Sequence, residues 1–166
     1  MKGNNNSSHR LISGYAEPNH RFFGVLLERA MKGCLNLTKH YAVRVSENRC
    51  LSFGPNNTGI YDNLVHEYEE ISWSERFGYD GGYHSTDGYY KKDDKRTIEK
   101  RIIAIENGAL SDWNYSVAYV NCEHIARFII GGDPTSYQVP FDTPTSKRTC
   151  WDLAETINNK ITELGL

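Results

Sequence analysis

Short apolar runs bounded by turn-forming residues occupy the first half of the chain. The segments RFFGVLLE at 21–28, HYAVRV at 40–45 and RCLSF at 49–53 have the length of strands, and a polar turn at 46–48 separates the last two. These three runs predict an antiparallel meander. A further strand is predicted at 67–73, whereas glycine and tyrosine dominate the segment 74–96, which predicts an irregular insertion.

Helical periodicity begins after this insertion. Isoleucines spaced four and three apart in TIEKRIIAIENG predict an amphipathic helix that ends near Gly108. A brief strand is predicted at 115–120, and Asn121 then caps a second helix, CEHIARFII, which stops at two glycines. A third amphipathic helix is predicted at 150–164, where Thr149 and Asp152 resemble a capping box.

The order of these elements predicts one α+β domain, because 166 residues suffice for a single hydrophobic core. We expect a flexible lead-in at 1–20, a main domain at 21–132 that contains the insertion 74–96, and a C-terminal extension at 133–166. The face of the C-terminal helix is expected to fold back on the domain or to pair with a second copy, so a homodimer stays open.

Charge and cysteine usage narrow the class of protein. The 19 basic and 21 acidic residues give a net charge of -2, which does not favour broad binding to nucleic acid or to anionic membranes. The four cysteines form no CxxC pair, and the histidines share no metal-ligand spacing, so we expect a reducing compartment and predict no metal and no cofactor. No apolar run has the length of a signal or a membrane span, so stable membrane insertion is not expected.

Cys122 is the candidate nucleophile of the chain. A cysteine in the first turn of a helix faces the positive end of the helix dipole and N–H groups that can also stabilise an oxyanion. His40 is the candidate base, provided that its strand packs beside this helix. The structural alternative is that Cys122 is a packing residue and His40 a hydrogen-bonded strand histidine, which is the commoner role for either residue alone.

Two motifs resemble those of the lecithin:retinol acyltransferase-like (H-box/NC) family. YVNCEHIARFIIGG is similar to its NCEHF box, formed here by Asn121, Cys122, Glu123 and His124, and KHYAVRVSENRCLSF is similar to its H-box. The resemblance covers roughly residues 21–132. It implies a permuted NlpC/P60 (papain-like) fold, with an antiparallel sheet of four to six strands against helices, with Cys122 as nucleophile and His40 as base. His124 is expected to have a structural role.

Two departures from the family pattern change the functional prediction. The cellular enzymes of the family carry a second histidine twelve residues after the first, and here that position is Ser52, so the third catalytic element is weakened. They also end in a hydrophobic tail, whereas this chain ends in a polar-faced helix. A soluble H-box/NC protein of this kind resembles a picornaviral 2A protein, which would act in the host cell cytoplasm and also in the nucleus.

Three functions remain open. The favoured one is a degenerate acyltransferase-fold module that binds host cell proteins. The second is an active thiol acyl hydrolase or acyltransferase, in which His40 deprotonates Cys122. The third is an RNA-binding accessory protein of viral replication that uses Tyr89, Tyr90, Lys91 and Lys92, although a solvated loop is the commoner role for such a segment.

Overall fold

A computed structural model describes residues 16–31, 39–53, 59–63, 79–86, 90–113, 120–138 and 144–166. The described strands are β1 (Val25–Met31), β2 (Lys39–Arg44), β3 (Arg49–Phe53), β4 (Gly59–Asn63) and β5 (Tyr79–Ser85), and the described helices are α1 (Lys95–Glu106), α2 (Cys122–Gly131) and α3 (Pro144–Glu163). The α+β class expected from the sequence is confirmed. The predicted strand at 67–73 lies outside the described residues, as does nearly all of the one at 115–120.

The strands form one antiparallel sheet in the order β4-β3-β2-β1-β5. Strands β1, β2 and β3 are the predicted meander, with Glu28 opposite Tyr41 and Ala42 opposite Ser52. Hairpin connections between neighbours explain why the apolar runs and the polar turn at 46–48 were sufficient to predict this part of the sheet.

Strand β5 corrects the prediction for the segment 74–96. Its sequence, YDGGYHS, has the composition of a loop, yet its backbone pairs with β1. The register shifts between Glu28 and Ala30 of β1, as at a β-bulge, where glycine is common in strands. Pairing with a strand about 50 residues away is a tertiary effect that local periodicity does not encode. The short strand β4, which pairs with the neighbouring strand β3, was also missed.

Two of the helices have the caps that the sequence indicated or allowed. The Asp94 side chain accepts a hydrogen bond from the Thr97 N–H at the start of α1. Asn121 caps α2, and Gly132 ends it in the left-handed conformation with φ 71°. The predicted start of the third helix was wrong, because α3 begins at Pro144 and its first turn therefore precedes Thr149.

The core lies between the sheet and the helices, and α3 is part of it. Leu153, Ala154 and Ile157 are buried in the same cluster as Ile98 and Ile102 of α1. Helix α3 therefore folds back on the domain and contributes to its larger hydrophobic cluster. Within the part of the chain that the structure describes, no helix is long and apolar enough to cross a membrane.

The described end of the expected lead-in is also attached to the domain. Ala16 is buried, and the Glu17 N–H donates to the Val45 carbonyl. The chain then turns through 20–24 into β1. Gly24 has φ 73° and lies so close to the Ile98 side chain that a Cβ would not fit. Residues 16–20, the described part of the expected lead-in, therefore contact the domain.

Candidate functional site

The first turn of α2 brings the NCEH box together in the interior of the protein. The Asn121 side chain accepts hydrogen bonds from the N–H groups of Glu123 and His124, at 3.0 and 3.2 Å. In return, the Asn121 N–H donates to Nδ1 of His124 at 3.1 Å, which closes a capping box. His124 is 4% exposed and holds the start of the helix, in agreement with the structural role expected for it.

Cys122 lies against strand β2. The backbone N–H of Tyr41 donates to the Cys122 sulfur at 3.4 Å. Because that amide nitrogen belongs to the peptide bond that follows His40, covalent geometry places the sulfur within about 6 Å of the His40 Cα. The structure thus brings the Cys122 sulfur to the backbone of β2 beside His40, which lies 82 positions earlier in the sequence. Strand alternation, however, directs the His40 side chain to the opposite face of the sheet from Tyr41 and Cys122.

Ser52 occupies the position expected of the third catalytic group. Its hydroxyl lies 2.6 Å from Nε2 of His40, and both residues are buried. Strand alternation puts them on the sheet face of Ala42 and Cys50, since Ser52 pairs with Ala42 and His40 lies two positions before it. A hydroxyl both donates and accepts, so Ser52 supports either neutral tautomer of His40 and does not select one.

Burial controls the charge of His40. Removal from water, and then the nearby Arg29 guanidinium, lower the pKa of His40 from 6.5 to about 3. The imidazole is therefore neutral at physiological pH. Adding a proton to it, with no counter-charge supplied, costs roughly 5 kcal/mol more than for a histidine in water.

The other side of the first α2 turn is a buried ionic network around Glu123. This carboxylate accepts from Nε of Arg127 at 2.8 Å, from the Ser136 hydroxyl at 2.6 Å and from the Gln138 N–H at 3.2 Å. Gln138 in turn accepts from the Lys39 N–H at the start of β2. These contacts tie the segment after α2 to the strand that carries His40.

Tyr41 joins this network from the helix-facing side of β2. Burial and the neighbouring carboxylates Glu123 and Glu28 raise the pKa of the Tyr41 phenol, so it stays protonated. Glu28 also pairs with Lys39, and Arg127 lies over the Tyr41 ring with its guanidinium carbon 5.9 Å from the centroid. Glu28 is thus paired with Lys39 and Glu123 with Arg127, so each of these buried carboxylates has a neighbouring cation.

The α2 N-terminus is less available to an oxyanion than the sequence suggested. The N–H groups of Glu123 and His124 are two of those expected to stabilise developing charge, and both donate to Asn121. The prediction that several N–H groups of this turn could form an oxyanion site is therefore wrong for these two, because the N-cap side chain already satisfies them.

Access to the thiol is restricted. Cys122 is 2% exposed and His40 is 1% exposed. A pocket of about 130 Å³ lies elsewhere, at the far end of α2, where it is lined by Leu26, Tyr90, Lys91, Arg127, Ile130, Gly131, Asp133 and Tyr137. Neither member of the candidate dyad lines this pocket.

Two of the residues predicted to contact RNA are hydrogen-bonded to backbone groups of the domain. The Tyr90 hydroxyl accepts from the Leu26 N–H at 3.2 Å, and the Lys92 ammonium donates to the Phe23 carbonyl at 3.0 Å. Lys91 points to solvent with a 3.5 Å ion pair to Asp93. Tyr89 lies outside the described residues.

Comparisons with known proteins identify no relative. No family model matches the chain, no curated protein matches it, and no solved structure matches it. Across the described ranges, no group of three histidine, cysteine or acidic residues is arranged to hold a metal ion.

Sequence analysis missed two features of the site. Arg29 is the electrostatic neighbour of His40, and the segment that contains Ser136 and Gln138 braces Glu123. Strand register places Arg29 directly opposite His40, but this register is visible only once β1 and β2 are paired. No local pattern marks Ser136 or Gln138, since they lie in a loop after the helix.

Proposed function

We propose that this chain is a permuted NlpC/P60 domain of the lecithin:retinol acyltransferase-like class, of the picornaviral 2A kind, that acts in the host cell as a binding module and not as a catalyst. The observation that supports this proposal is the state of the candidate dyad. Cys122 and His40 are both buried, but their side chains lie on opposite faces of the sheet, and His40 is held neutral against Ser52.

Burial of the thiol is the main argument against turnover. Acyl transfer requires a carbonyl carbon to approach the sulfur to about 3–3.5 Å, which an almost fully buried Cys122 does not allow. The imidazolium formed by proton transfer would lie in a dry site beside the Arg29 cation, without an orienting group stronger than Ser52. Under this proposal, Cys122 and His40 serve to stabilise the interior of the domain, and the protein binds its partners through its surface.

The test is the alkylation rate of Cys122 by iodoacetamide against pH, read by peptide mass spectrometry. Cys50 and Cys150 provide internal controls, because both are buried to a similar extent in the same molecule. We expect all three thiols to react slowly, at rates within about tenfold of each other, because each must wait for local opening. The variant His40→Gln is expected to change this rate only through stability.

The opposite result would support a catalytic function instead. If Cys122 reacts about 100-fold faster than Cys150, with a midpoint well below the roughly 8.5 of an ordinary thiol that moves upward in His40→Gln, the dyad is coupled and accessible. Binding to host proteins should survive Cys122→Ala under the proposal, because no step requires the sulfur.

An active thiol acyl hydrolase or acyltransferase is the second candidate, favoured by the contact between the Tyr41 N–H and the Cys122 sulfur. In this reaction the His40 ring would first have to leave Ser52 and turn towards Cys122, and a ring nitrogen would then accept the thiol proton. The thiolate then attacks an ester carbonyl, the alcohol leaves with the proton returned by His40, and water or an amine cleaves the thioester on Cys122. Mass spectrometry of the chain with an activated ester would detect the acyl adduct, which Cys122→Ala must remove.

The RNA-binding function draws less support. Of the four residues expected to form its surface, Tyr90 and Lys92 are committed to backbone groups of the domain. A base-stacking platform needs exposed aromatic faces, and Tyr90 packs against the core.

A further inference from the structure

Four basic side chains converge on the turn that leads into β1. The guanidinium carbons of Arg21 and Arg44 lie 4.4 and 4.0 Å from the centroid of the Phe22 ring. The ammonium groups of Lys92 and Lys95 donate to the carbonyls of Phe23 and His20, at 3.0 and 3.2 Å. We call Arg21, Arg44, Lys92 and Lys95 the basic cluster.

The basic cluster is positioned by neutral groups. Arg44 donates to the carbonyls of Ser46 and Glu47, at 3.2 and 2.8 Å, and its ring contact with Phe22 holds the guanidinium plane. Among the described residues, the ion pairs involve other cations, namely Lys39, Lys91, Arg101, Arg127 and Lys160. The four charges are thus ordered without being neutralised by a described carboxylate.

The acidic residues next to Lys92 and Lys95 in the sequence have partners of their own. Asp93 pairs with Arg101 at 2.8 Å, and Asp94 accepts from the N–H and the hydroxyl of Thr97, which lower the pKa of its carboxyl. Within the cluster, partial burial and then repulsion by Lys95 lower the pKa of Lys92. Lys92 thus experiences repulsion from Lys95, and Asp93 and Asp94 do not pair with the cluster, an arrangement that favours a bound anion.

We propose that the basic cluster binds a compact polyphosphate, that is, a small ligand that carries two or more phosphate groups. Two guanidinium groups on one ring lie at most about 8 Å apart, a span suited to neighbouring phosphates, and guanidinium groups bind phosphate oxygens in a bidentate manner. A long nucleic acid fits less well. The aromatic ring at the centre is already stacked by two cations, and the whole chain is acidic, with a net charge of -2.

The experiment is titration of the full chain with inorganic pyrophosphate, and separately with inositol hexakisphosphate, by calorimetry and by amide chemical shifts. The test variant is Arg21→Gln with Lys95→Gln, which removes two exposed charges of the cluster. The matched control is Arg148→Gln with Lys160→Gln, which removes two charges from α3. Both double variants have the same net charge, so a general electrostatic effect changes them equally.

The expected result is pyrophosphate binding with a Kd below about 1 mM, tighter binding of the inositol phosphate, and shifts centred on residues 20–24 and 92–95. The cluster variant should weaken both ligands at least about tenfold, and the α3 control less than about twofold. The proposal fails if the wild type binds neither ligand or if both double variants bind equally. It also fails if single-stranded RNA binds through the cluster while both small polyphosphates do not, since the site would then be a nucleic-acid surface.

Discussion

The imidazole Nε2 of His40 lies 2.6 Å from the hydroxyl of Ser52, which follows it by twelve residues on the neighbouring strand. This contact is the closest link between the sequence motif and the three-dimensional site. It places Ser52, which stands where the H-box pattern has a second histidine, directly beside His40. A serine there satisfies a buried nitrogen without supplying charge.

Removing this contact should lower stability. Ser52→Ala leaves Nε2 of His40 buried without its hydroxyl partner, and such a loss costs about 1–3 kcal/mol. The free energy of unfolding, measured by urea denaturation at pH 7, checks this value. The control is Ser111→Ala at an exposed serine, which should change stability by less than about 0.5 kcal/mol. Equal effects of the two variants would mean that the contact with His40 contributes nothing.

Stability should fall as the pH is lowered, because His40 is buried in its neutral form. Its pKa is about 3 in the folded protein and 6.5 in the unfolded chain, so between these values the unfolded chain binds the extra proton. The free energy of unfolding then decreases with falling pH by up to about 1.4 kcal/mol per pH unit.

The measurement for this pH dependence is urea denaturation between pH 7 and pH 5, above the range in which most carboxylates titrate. His40→Gln replaces the titrating group with a neutral one that can still bond to Ser52, so its stability should depend less on pH. Parallel curves for the wild type and the variant would contradict a neutral, buried His40.

The buried pair of Glu123 and Arg127 should be sensitive to the loss of one partner. Glu123→Gln keeps the shape but leaves the Arg127 cation without its carboxylate, and breaking a buried pair costs about 3–5 kcal/mol. Thermal and urea unfolding would measure this loss. Glu163→Gln, in an exposed pair with Lys160, is the control and should cost less than about 1 kcal/mol. Adding Arg127→Met to Glu123→Gln should recover part of the loss.

Gly24 should resist substitution for two separable reasons. Its φ of 73° is strained for any other residue, and an added Cβ would lie 2.7 Å from Cδ1 of Ile98. Gly165 has a similar φ of 69° but open space around it. We expect Gly165→Ala to cost about 1 kcal/mol and Gly24→Ala about 1–3 kcal/mol more, in unfolding free energy. Equal costs would show that Ile98 moves aside without penalty.

Local patterns in the sequence determined the parts of this fold that depend on neighbouring residues. The meander of β1, β2 and β3 follows from apolar runs joined by short turns, although only β3 matches its predicted bounds, and α2 follows from the Asn121 cap and the Gly132 stop. The family resemblance pointed to Ser52 as the residue in the position that orients His40, and the register of the β2–β3 hairpin is what brings the two side chains into contact.

Tertiary structure alone decided the rest, because those features arise from segments far apart in the chain. Strand β5 forms where β1 offers its edge, and α3 starts at Pro144 and packs on α1, although the capping pattern at Thr149 suggested a later start. The burial that keeps His40 neutral and the convergence of Arg21, Arg44, Lys92 and Lys95 likewise need the assembled domain. The sequence determines which ionisable side chains the protein has. Packing determines how far each is removed from water and how close it lies to other charges, and these two quantities set its protonation state.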